Sequence, residues 1–263
     1  MTDEIKFYQI NLNKCKQAQA NLMIELAEFK DKHFICLIQE PHFNRLNPSS
    51  INKSFMQVFH SKGSKELWPR AMIVASKGLN ISLVENLTSR DTTCINLHSK
   101  DEEIMICSSY QDILFREVIN NIDKCTDKAK AIGKEIIIGV DSNSHSHLWK
   151  CVDTNQRGEI FEDFIAQQDL FVCNVGNKPT FERSTRYSLV QTIIDITLVS
   201  SPLADRILAW KVNDQHYYSD HKLISFSLDF SITPPMKARN FKKANWKHFK
   251  GLLSKQKWVS PQV

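Results

Sequence analysis

The chain has 263 residues, an apolar fraction of 42% and a formal net charge of +5. This length suits one large α/β domain or two small domains, and the composition is typical of a globular protein with a core of useful size. No apolar run approaches the ~20 residues that a membrane-spanning helix needs. No basic segment precedes an apolar one at the N-terminus, so we expect neither a membrane span nor a secretory signal.

The first part of the chain predicts a β-α-β unit followed by short strands. Alternating apolar residues indicate a strand at 5–12, helical spacing indicates a helix at 16–30, and an apolar run indicates a buried strand at 33–40. Further strands are predicted at residues 55–59, 71–75, 81–84, 93–97 and 104–110.

The second part predicts two more helices among strands. Helices are expected at 114–131 and 157–168, with a strand at 135–140 between them. Later strands are expected at residues 170–175, 191–200, 206–212 and 223–230. This mixed order favours an α/β protein with α+β layering, in which sheets pack face to face and helices lie outside.

The positive charge is concentrated at the C-terminal end. Residues 231–263 contain eight Lys or Arg and no Asp or Glu, which leaves 26 basic and 29 acidic residues in 1–230. Pro234 and Pro235 end the last strand, so we expect a domain at 1–230 and a basic linker at 231–263. The apolar residues of this linker recur at near-helical spacing, which suits an amphipathic basic helix or a frayed domain boundary.

The cysteines favour a reducing compartment. There are seven, an odd number, and none forms a C-x-x-C pair. Cys36, Cys107 and Cys173 lie in apolar, strand-like runs, where buried free thiols are the better interpretation. Disulfides are rare in reducing compartments, and the pattern therefore predicts an intracellular protein.

Polar residues end or interrupt several of the predicted strands. They are Asn11, Asn13, Glu40, Tyr110, Asp141, Asn143, Asp195, Asp220 and His221. Each has a structural alternative: Glu40 before a proline suits a solvated loop, and the Asp-Ser-Asn run suits a turn. Asp195 is harder to explain in this way, because a buried carboxylate without a partner is costly. A histidine is the expected partner.

Together these groups suit phosphodiester hydrolysis. Glu40 and Asp141 offer hard oxygen ligands for Mg²⁺. His221 can exchange a proton or donate to a phosphoryl oxygen, and Asp195 can orient its ring. A metal ion, an activated water and charge stabilisation are the parts that this hydrolysis needs.

The motifs also resemble those of a known family. They are "QINLNK", "LIQEP", "SSYQD", "GVDSNSHSHLW", "IIDITLV" and "SDHKLISF", in this order between residue 5 and about 230. The pattern resembles the exonuclease-endonuclease-phosphatase superfamily, which includes the apurinic/apyrimidinic endonucleases. The Asp-Ser-Asn motif is similar to that of the endonuclease domains of non-LTR retrotransposon polyproteins. The resemblance implies a four-layer α-β-β-α sandwich with two packed mixed sheets, as in DNase I-like proteins.

The resemblance also implies a metal centre. Glu40 would be the principal ligand of Mg²⁺, with Mn²⁺ as an alternative, and Asn11 would lie nearby. Asp220 would assist metal binding or protonation of the leaving group. The abasic-site enzymes carry an acid where this chain has Asn13. A neutral amide binds Mg²⁺ less strongly, so a second metal is in doubt and retrotransposon relatives are favoured over repair enzymes.

By the same resemblance, the remaining site residues act on the phosphate. Asp141 and Asn143 would position the attacking water, with Asp141 as its base. Tyr110 would contact the scissile phosphate. His221 would bind that phosphate and be oriented by Asp195.

DNA contacts are expected from two segments. Residues 179–195 predict a hairpin whose Arg183, Arg186 and Tyr187 could enter a groove, although a solvated hairpin explains them equally well. Lys150, after the Asp-Ser-Asn motif, could line the same surface. The histidines in that motif lack cysteines at zinc-like spacing, which disfavours a zinc site.

The resemblance predicts a Mg²⁺-dependent endonuclease that nicks double-stranded DNA in the nucleus for target-primed reverse transcription. Its partner would be the reverse transcriptase domain of the same polyprotein. One alternative is an abasic-site endonuclease, or another phosphodiesterase or phosphatase of the same fold. Another is a catalytically dead nucleic-acid-binding module.

Overall fold

The computed structural model describes residues 4–28, 33–45, 47–63, 67–100, 102–112, 119–215 and 217–231. The described residues lie in one compact unit, Met1–Ile232. Apart from Ser231, the predicted linker at 231–263 lies outside the described residues. In the described parts of the chain, no helix is long and apolar enough to cross a membrane.

The described elements begin as predicted, with a strand, a helix and a strand. The strands in chain order are β1 Glu4–Asn11, β2 Phe34–Gln39, β3 Phe43–Asn44, β4 Asn47–Pro48, β5 Met56–His60, β6 Ala71–Ser76, β7 Ile81–Leu83, β8 Thr92–His98, β9 Glu103–Tyr110, β10 Glu135–Asp141, β11 Leu170–Val172, β12 Phe181–Ser184, β13 Leu189–Thr192, β14 Asp195–Ser200, β15 Ile207–Val212 and β16 Ile224–Asp229. The α-helices are α1 Lys16–Glu28, α2 Asn120–Ala131 and α3 Gln156–Gln167, and short 3₁₀ helices span Glu85–Leu87, His147–Trp149 and Ser201–Arg206.

Two six-stranded sheets form the centre of the fold. The first has the strand order β15-β16-β1-β2-β6-β5, and the second has the order β11-β14-β10-β9-β8-β7. Each is mixed, because β1 pairs in parallel with β2 and β9 pairs in parallel with β10, whereas their other pairings are antiparallel. Two small hairpins, β3-β4 and β12-β13, lie outside these sheets.

Residue alternation along the strands produces the layers. On β1, Ile5 and Phe7 belong to the core between the sheets, whereas Tyr8 and Ile10 pack with α1. On β10, Ile137 likewise belongs to the core between the sheets, whereas Ile136 and Ile138 pack with α2 and α3 in a second, outer core. Side chains of a strand point to opposite faces in turn, so each sheet is covered on both sides. The predicted four-layer α-β-β-α sandwich is confirmed.

Polar side chains tie the two sheets together beneath the predicted site. Nε2 of Gln9 donates to the carbonyl of Ile196 at 3.2 Å, and its Oε1 accepts from the hydroxyl of Thr197 at 2.9 Å. A Cβ on Gly139 would lie 2.6 Å from Cδ1 of Leu37 and 2.9 Å from Oε1 of Gln9. A glycine therefore lets the sheets pack closely here, because a side chain would displace Leu37 or Gln9.

Two predicted elements differ from the structure. The strand expected at 191–200 is interrupted, because Thr180 Oγ1 accepts the N–H groups of both Ile194 and Asp195. The chain therefore leaves the β12-β13 hairpin at Thr192 and enters the second sheet at Asp195. Asp195 thus begins a strand and does not lie inside one. The strand expected at 170–175 ends at Val172.

Candidate active site

Polar residues from five strands meet at one edge of the paired sheets. β1 and β2 run in parallel, so their carboxyl ends bring Asn11 and Glu40 to this edge. β9 and β10 bring Tyr110 and Asp141 to the same edge in the second sheet. β14 runs antiparallel to β10, and its first residue, Asp195, pairs directly with Asp141. The sheet directions therefore gather residues that are far apart in the chain.

Asn11 links the carboxylates of the two sheets. Its Nδ2 donates to Oδ2 of Asp141 at 2.7 Å and to Oε2 of Glu40 at 3.4 Å. Its Oδ1 accepts the backbone N–H of Asn13 at 2.7 Å. Asn11, Glu40 and Asp141 are all buried. Two buried carboxylates thus converge on one amide, which concentrates negative charge at this point.

The backbone around these groups is held in an uncommon conformation. Positive φ angles occur at Asn13, Lys14, Glu40 and Asn143, between 45° and 55°. Residues other than glycine rarely adopt this region, and such strain persists only where surrounding contacts enforce it. Here Lys14 N donates to the carbonyl of Glu40 at 2.8 Å. This hydrogen bond joins the segments that carry Lys14 and Glu40 and holds both beside the carboxylates.

His221 lies between two carboxylates. Its Nδ1 donates to Oδ2 of Asp195 at 2.9 Å, and its Nε2 lies 3.9 Å from Oδ2 of Asp141. The hydroxyl of Ser219 donates to the carbonyl of Asn11 at 2.7 Å and accepts the N–H of His221 at 3.2 Å. These bonds fix the segment before β16 against the end of β1. The partner expected for Asp195 is therefore this histidine.

Burial and charge shift the protonation of this group. Burial, followed by the charge of Asp195, raises the pKa of Asp141 to about 7. Burial alone would lower the pKa of His221, but the nearby carboxylates, above all Asp195, raise it to about 9. His221 is therefore an imidazolium at neutral pH. Perturbed carboxyl and imidazole groups at the end of a sheet are typical of catalytic sites.

The donor atoms at this edge fit a hard divalent cation. Glu40 and Asp141 supply carboxylate oxygens, and Mg²⁺ binds through one or two carboxylates while it keeps several waters. A cationic group already contacts one of them, since Nζ of Lys14 lies 2.8 Å from Oε1 of Glu40. Asp141, Asp195 and His221 also lie close enough to share an ion. However, the hydrogen bond to Asp195 occupies Nδ1 of His221, so the oxygen-rich side near Glu40 is the better cation site.

Tyr110 lies beneath a buried arginine. The guanidinium of Arg70 lies 4.8 Å from the centre of the Tyr110 ring and also pairs with Asp91 and Asp112. Burial and the charges of Glu40 and Asp141 raise the pKa of Tyr110, which keeps its hydroxyl protonated. Sequence reasoning missed Arg70, and its place directly before an apolar strand was the available signal.

The loop after β10 is built around buried hydroxyls and tight packing. Asn143 N donates to Oδ1 of Asp141 at 3.2 Å, and its Nδ2 donates to the carbonyl of Gln111 at 3.0 Å. A Cβ on Gly158 would lie 1.8 Å from the carbonyl oxygen of His145, so a glycine lets α3 approach the loop. The structure thus places Asn143 beside Asp141 and uses its amide to join two strand ends.

The hairpin β12-β13 carries the residues expected to contact DNA. Arg183 Nε donates to Oδ2 of Asp220 at 2.7 Å, which links the hairpin to the segment that carries His221. Asp220 thus pairs with Arg183 of the hairpin, whereas Glu40 and Asp141 contact Asn11. Arg186 and Tyr187 lie at the turn, and Tyr187 is 90% exposed. The edge of Phe181 packs on the ring of His221, with 5.0 Å between centroids.

Lys150 lies in the loop that follows Asp141. It is exposed and follows the 3₁₀ helix His147–Trp149 with a φ of 70°. Its backbone N–H donates to the carbonyl of His147. Nδ1 of His147 contacts the carbonyl of Cys151, and Nδ1 of His145 contacts Asp153. The two histidines therefore have separate partners.

Comparisons with known proteins agree with this architecture. The family described as endonuclease-reverse transcriptase matches residues 104–225, a range that contains Tyr110, Asp141, Asp195 and His221. The structure is similar to the endonuclease domain of TRAS1, a telomere-specific non-LTR retrotransposon. The TM-score is 0.73 at 24% identity, over 85% of this chain and 98% of that domain. The resemblance to the exonuclease-endonuclease-phosphatase superfamily is confirmed.

Two further solved structures share the fold at lower identity. The apurinic/apyrimidinic endonuclease LMAP from Leishmania major matches with a TM-score of 0.67 at 11% identity, over 86% of this chain and 88% of that chain. An endonuclease/exonuclease/phosphatase family protein from Bacteroides thetaiotaomicron matches with a TM-score of 0.62 at 13% identity, over 87% and 98%. No curated protein matches the sequence.

Proposed function

We propose that the chain is a metal-dependent endonuclease that nicks double-stranded DNA. The observation that carries this proposal is the meeting of Glu40, Asn11 and Asp141 with the Asp195-His221 pair at one sheet edge. The match to the endonuclease-reverse transcriptase family supports the reaction class. The exposed basic hairpin beside the site supports a polyanionic substrate.

Glu40, with Asn11 beside it, would hold Mg²⁺ or Mn²⁺. A bound divalent ion supplies charge stabilisation to the phosphoryl oxygens and lowers the pKa of a coordinated water. A cation would also favour the ionised form of Asp141, which burial alone disfavours. The carboxylate of Asp141 then accepts a proton from the attacking water. The backbone N–H and amide of Asn143 hold that carboxylate and the adjoining strand end in place.

His221 would stabilise the phosphate as an imidazolium. Because Asp195 takes the hydrogen bond from Nδ1, the Nε2–H is directed toward Asp141. Charge-assisted donors of this kind are worth most in a partly dry site. Tyr110, as a neutral phenol, would donate a hydrogen bond from its hydroxyl to the phosphate. Asp220 restrains Arg183 on the hairpin.

The biological role proposed is nicking of target DNA for target-primed reverse transcription. The reverse transcriptase domain of the same polyprotein would be the partner, and the nucleus the site of action. The TRAS1 domain, a telomere-specific retrotransposon endonuclease, has a similar fold, and the family description pairs the two activities. An abasic-site substrate is the main alternative within this fold.

A plasmid assay tests the proposal. Asp141→Ala and His221→Ala should abolish conversion of supercoiled plasmid to the open circle, and circular dichroism should show an intact fold. EDTA should stop the wild-type reaction, and Mg²⁺ should restore it. Asp214→Ala, which changes an exposed carboxylate paired with Lys178, is the matched control and should retain activity. Full nicking by either site variant would refute the assignment, and preference for an abasic oligonucleotide would favour the repair alternative.

A further inference from the structure

The ammonium group of Lys14 sits on the carboxylate that is expected to hold the metal. Nζ lies 2.8 Å from Oε1 of Glu40, and the Lys14 side chain is 64% exposed whereas that of Glu40 is 11% exposed. The pair therefore forms at the solvent edge of the buried carboxylate group. Lys14 ends the "QINLNK" motif, but the sequence analysis gave it no role of its own.

The backbone holds Lys14 at this place. Asn13 and Lys14 are consecutive residues with positive φ, 47° and 55°. The N–H of Asn13 is held by Oδ1 of Asn11, and the N–H of Lys14 by the carbonyl of Glu40. Two consecutive residues at positive φ form a turn between β1 and α1. This turn and its two hydrogen bonds fix the backbone from which the Lys14 side chain reaches Glu40.

Lys14 and a divalent ion would compete for the carboxylate of Glu40, and binding both at once would cost free energy. Both are cations that would approach the same carboxylate, and like charges a few ångströms apart repel strongly at a partly buried site. The flexible four-carbon stem lets the ammonium leave while the backbone stays fixed. Because the backbone of Lys14 stays fixed, the released ammonium remains beside the metal site. A DNA phosphate bound to the ion would add negative charge there.

We propose that Lys14 is a DNA-phosphate-binding residue that occupies Glu40 until a divalent ion takes that carboxylate. Metal binding then frees the ammonium for the phosphate, so Lys14 couples the two binding events. The inference rests on the proposed function and adds one residue to its substrate contacts. Lys14 opposes metal binding when DNA is absent and supports DNA binding when the metal is present.

The first measurement needs neither DNA nor cleavage. Lys14→Met removes the charge and keeps most of the aliphatic stem, and Mn²⁺ binding is followed by electron paramagnetic resonance. Since exposed ion pairs are worth at most about 1 kcal/mol, the variant should bind Mn²⁺ roughly two- to fivefold more tightly. Lys77→Met is the matched control, because Lys77 is exposed after β6 at the opposite sheet edge. It should leave the affinity unchanged.

The second measurement is DNA affinity against salt, by fluorescence anisotropy. With Ca²⁺ present, Lys14→Met should lower the salt slope by about 0.9, the value for one lost phosphate contact, whereas in EDTA the slope should equal that of the wild type. Equal Mn²⁺ affinities, or the same loss of slope in EDTA, would overturn the proposal. Lys14→Gln serves as a second variant if Lys14→Met does not fold. Tighter Mn²⁺ binding by Lys14→Met in a protein that nicks no plasmid would overturn the proposed function and leave the Lys14–Glu40 competition standing.

Discussion

Asp195→Asn gives the sharpest test of the histidine pair. The change keeps the shape of the side chain but removes the charge that faces Nδ1 of His221 at 2.9 Å. The pKa of His221 is raised from 6.5 to about 9, with Asp195 as the main raising cause. At about 1.4 kcal/mol per pKa unit, the carboxylates stabilise the imidazolium by about 3 kcal/mol. Most of this stabilisation should be lost in the variant.

Loss of the Asp195 charge should reduce the protonated fraction of His221. At pH 8 a group with a pKa of 9 is about 90% protonated, whereas one with a pKa of 6.5 is about 3% protonated. If the imidazolium is the active form, nicking by Asp195→Asn should fall by about 20-fold more at pH 8 than at pH 6. The alkaline limb of the pH profile should move toward neutral pH. The acid limb should also move down, because Asp195 raises the pKa of Asp141.

Two measurements check this without ambiguity. Histidine ring signals in NMR report the pKa of His221 in the metal-free protein, and plasmid nicking from pH 5.5 to about 9.5 reports the active form. Asp220→Asn is the matched control, since Asp220 pairs with Arg183 and should leave the pKa of His221 in place. An alkaline limb that stays near pH 9 in Asp195→Asn would refute the reasoning.

Further outcomes follow from other parts of the structure. In the metal-free protein, the raised pKa of His221 contributes stability that is present below pH 6.5 and lost as the pH rises through about 9. Urea unfolding below pH 6.5 and above pH 9 should show this loss of stability, and the loss should be smaller in Asp195→Asn. Gly139→Ala should lower the free energy of unfolding by about 1–3 kcal/mol through overpacking between the sheets, whereas an unchanged urea midpoint would mean that the sheets adjust freely. Alanine at both Arg186 and Tyr187 should weaken DNA binding while thermal unfolding stays unchanged, and wild-type affinity would exclude the hairpin from the interface. Deletion of 237–263 should weaken DNA binding and lower its salt slope, and an unchanged slope would assign the basic segment to another partner.

Local patterns were sufficient for the elements that form the sheets. Strand alternation is a property of neighbouring residues, so the strands that cross the core were predicted to within one or two residues, as with 135–140 against Glu135–Asp141. The order of short motifs predicted the layers and the superfamily. The prediction failed at 191–200, where the hydroxyl of Thr180 takes two backbone N–H groups and breaks the strand. A contact across 14 residues leaves no trace in local periodicity.

The sequence by itself determined the fold class and which residue types stand at the strand ends. Only the tertiary structure decided which atoms meet there. Asn11 and Asp141 are 130 positions apart, yet one hydrogen bond joins them. The contact of Lys14 with Glu40 and the stacking of Arg70 on Tyr110 likewise join separate segments. Such pairs depend on how two sheets pack, and packing is a property of the whole chain, which no local pattern encodes.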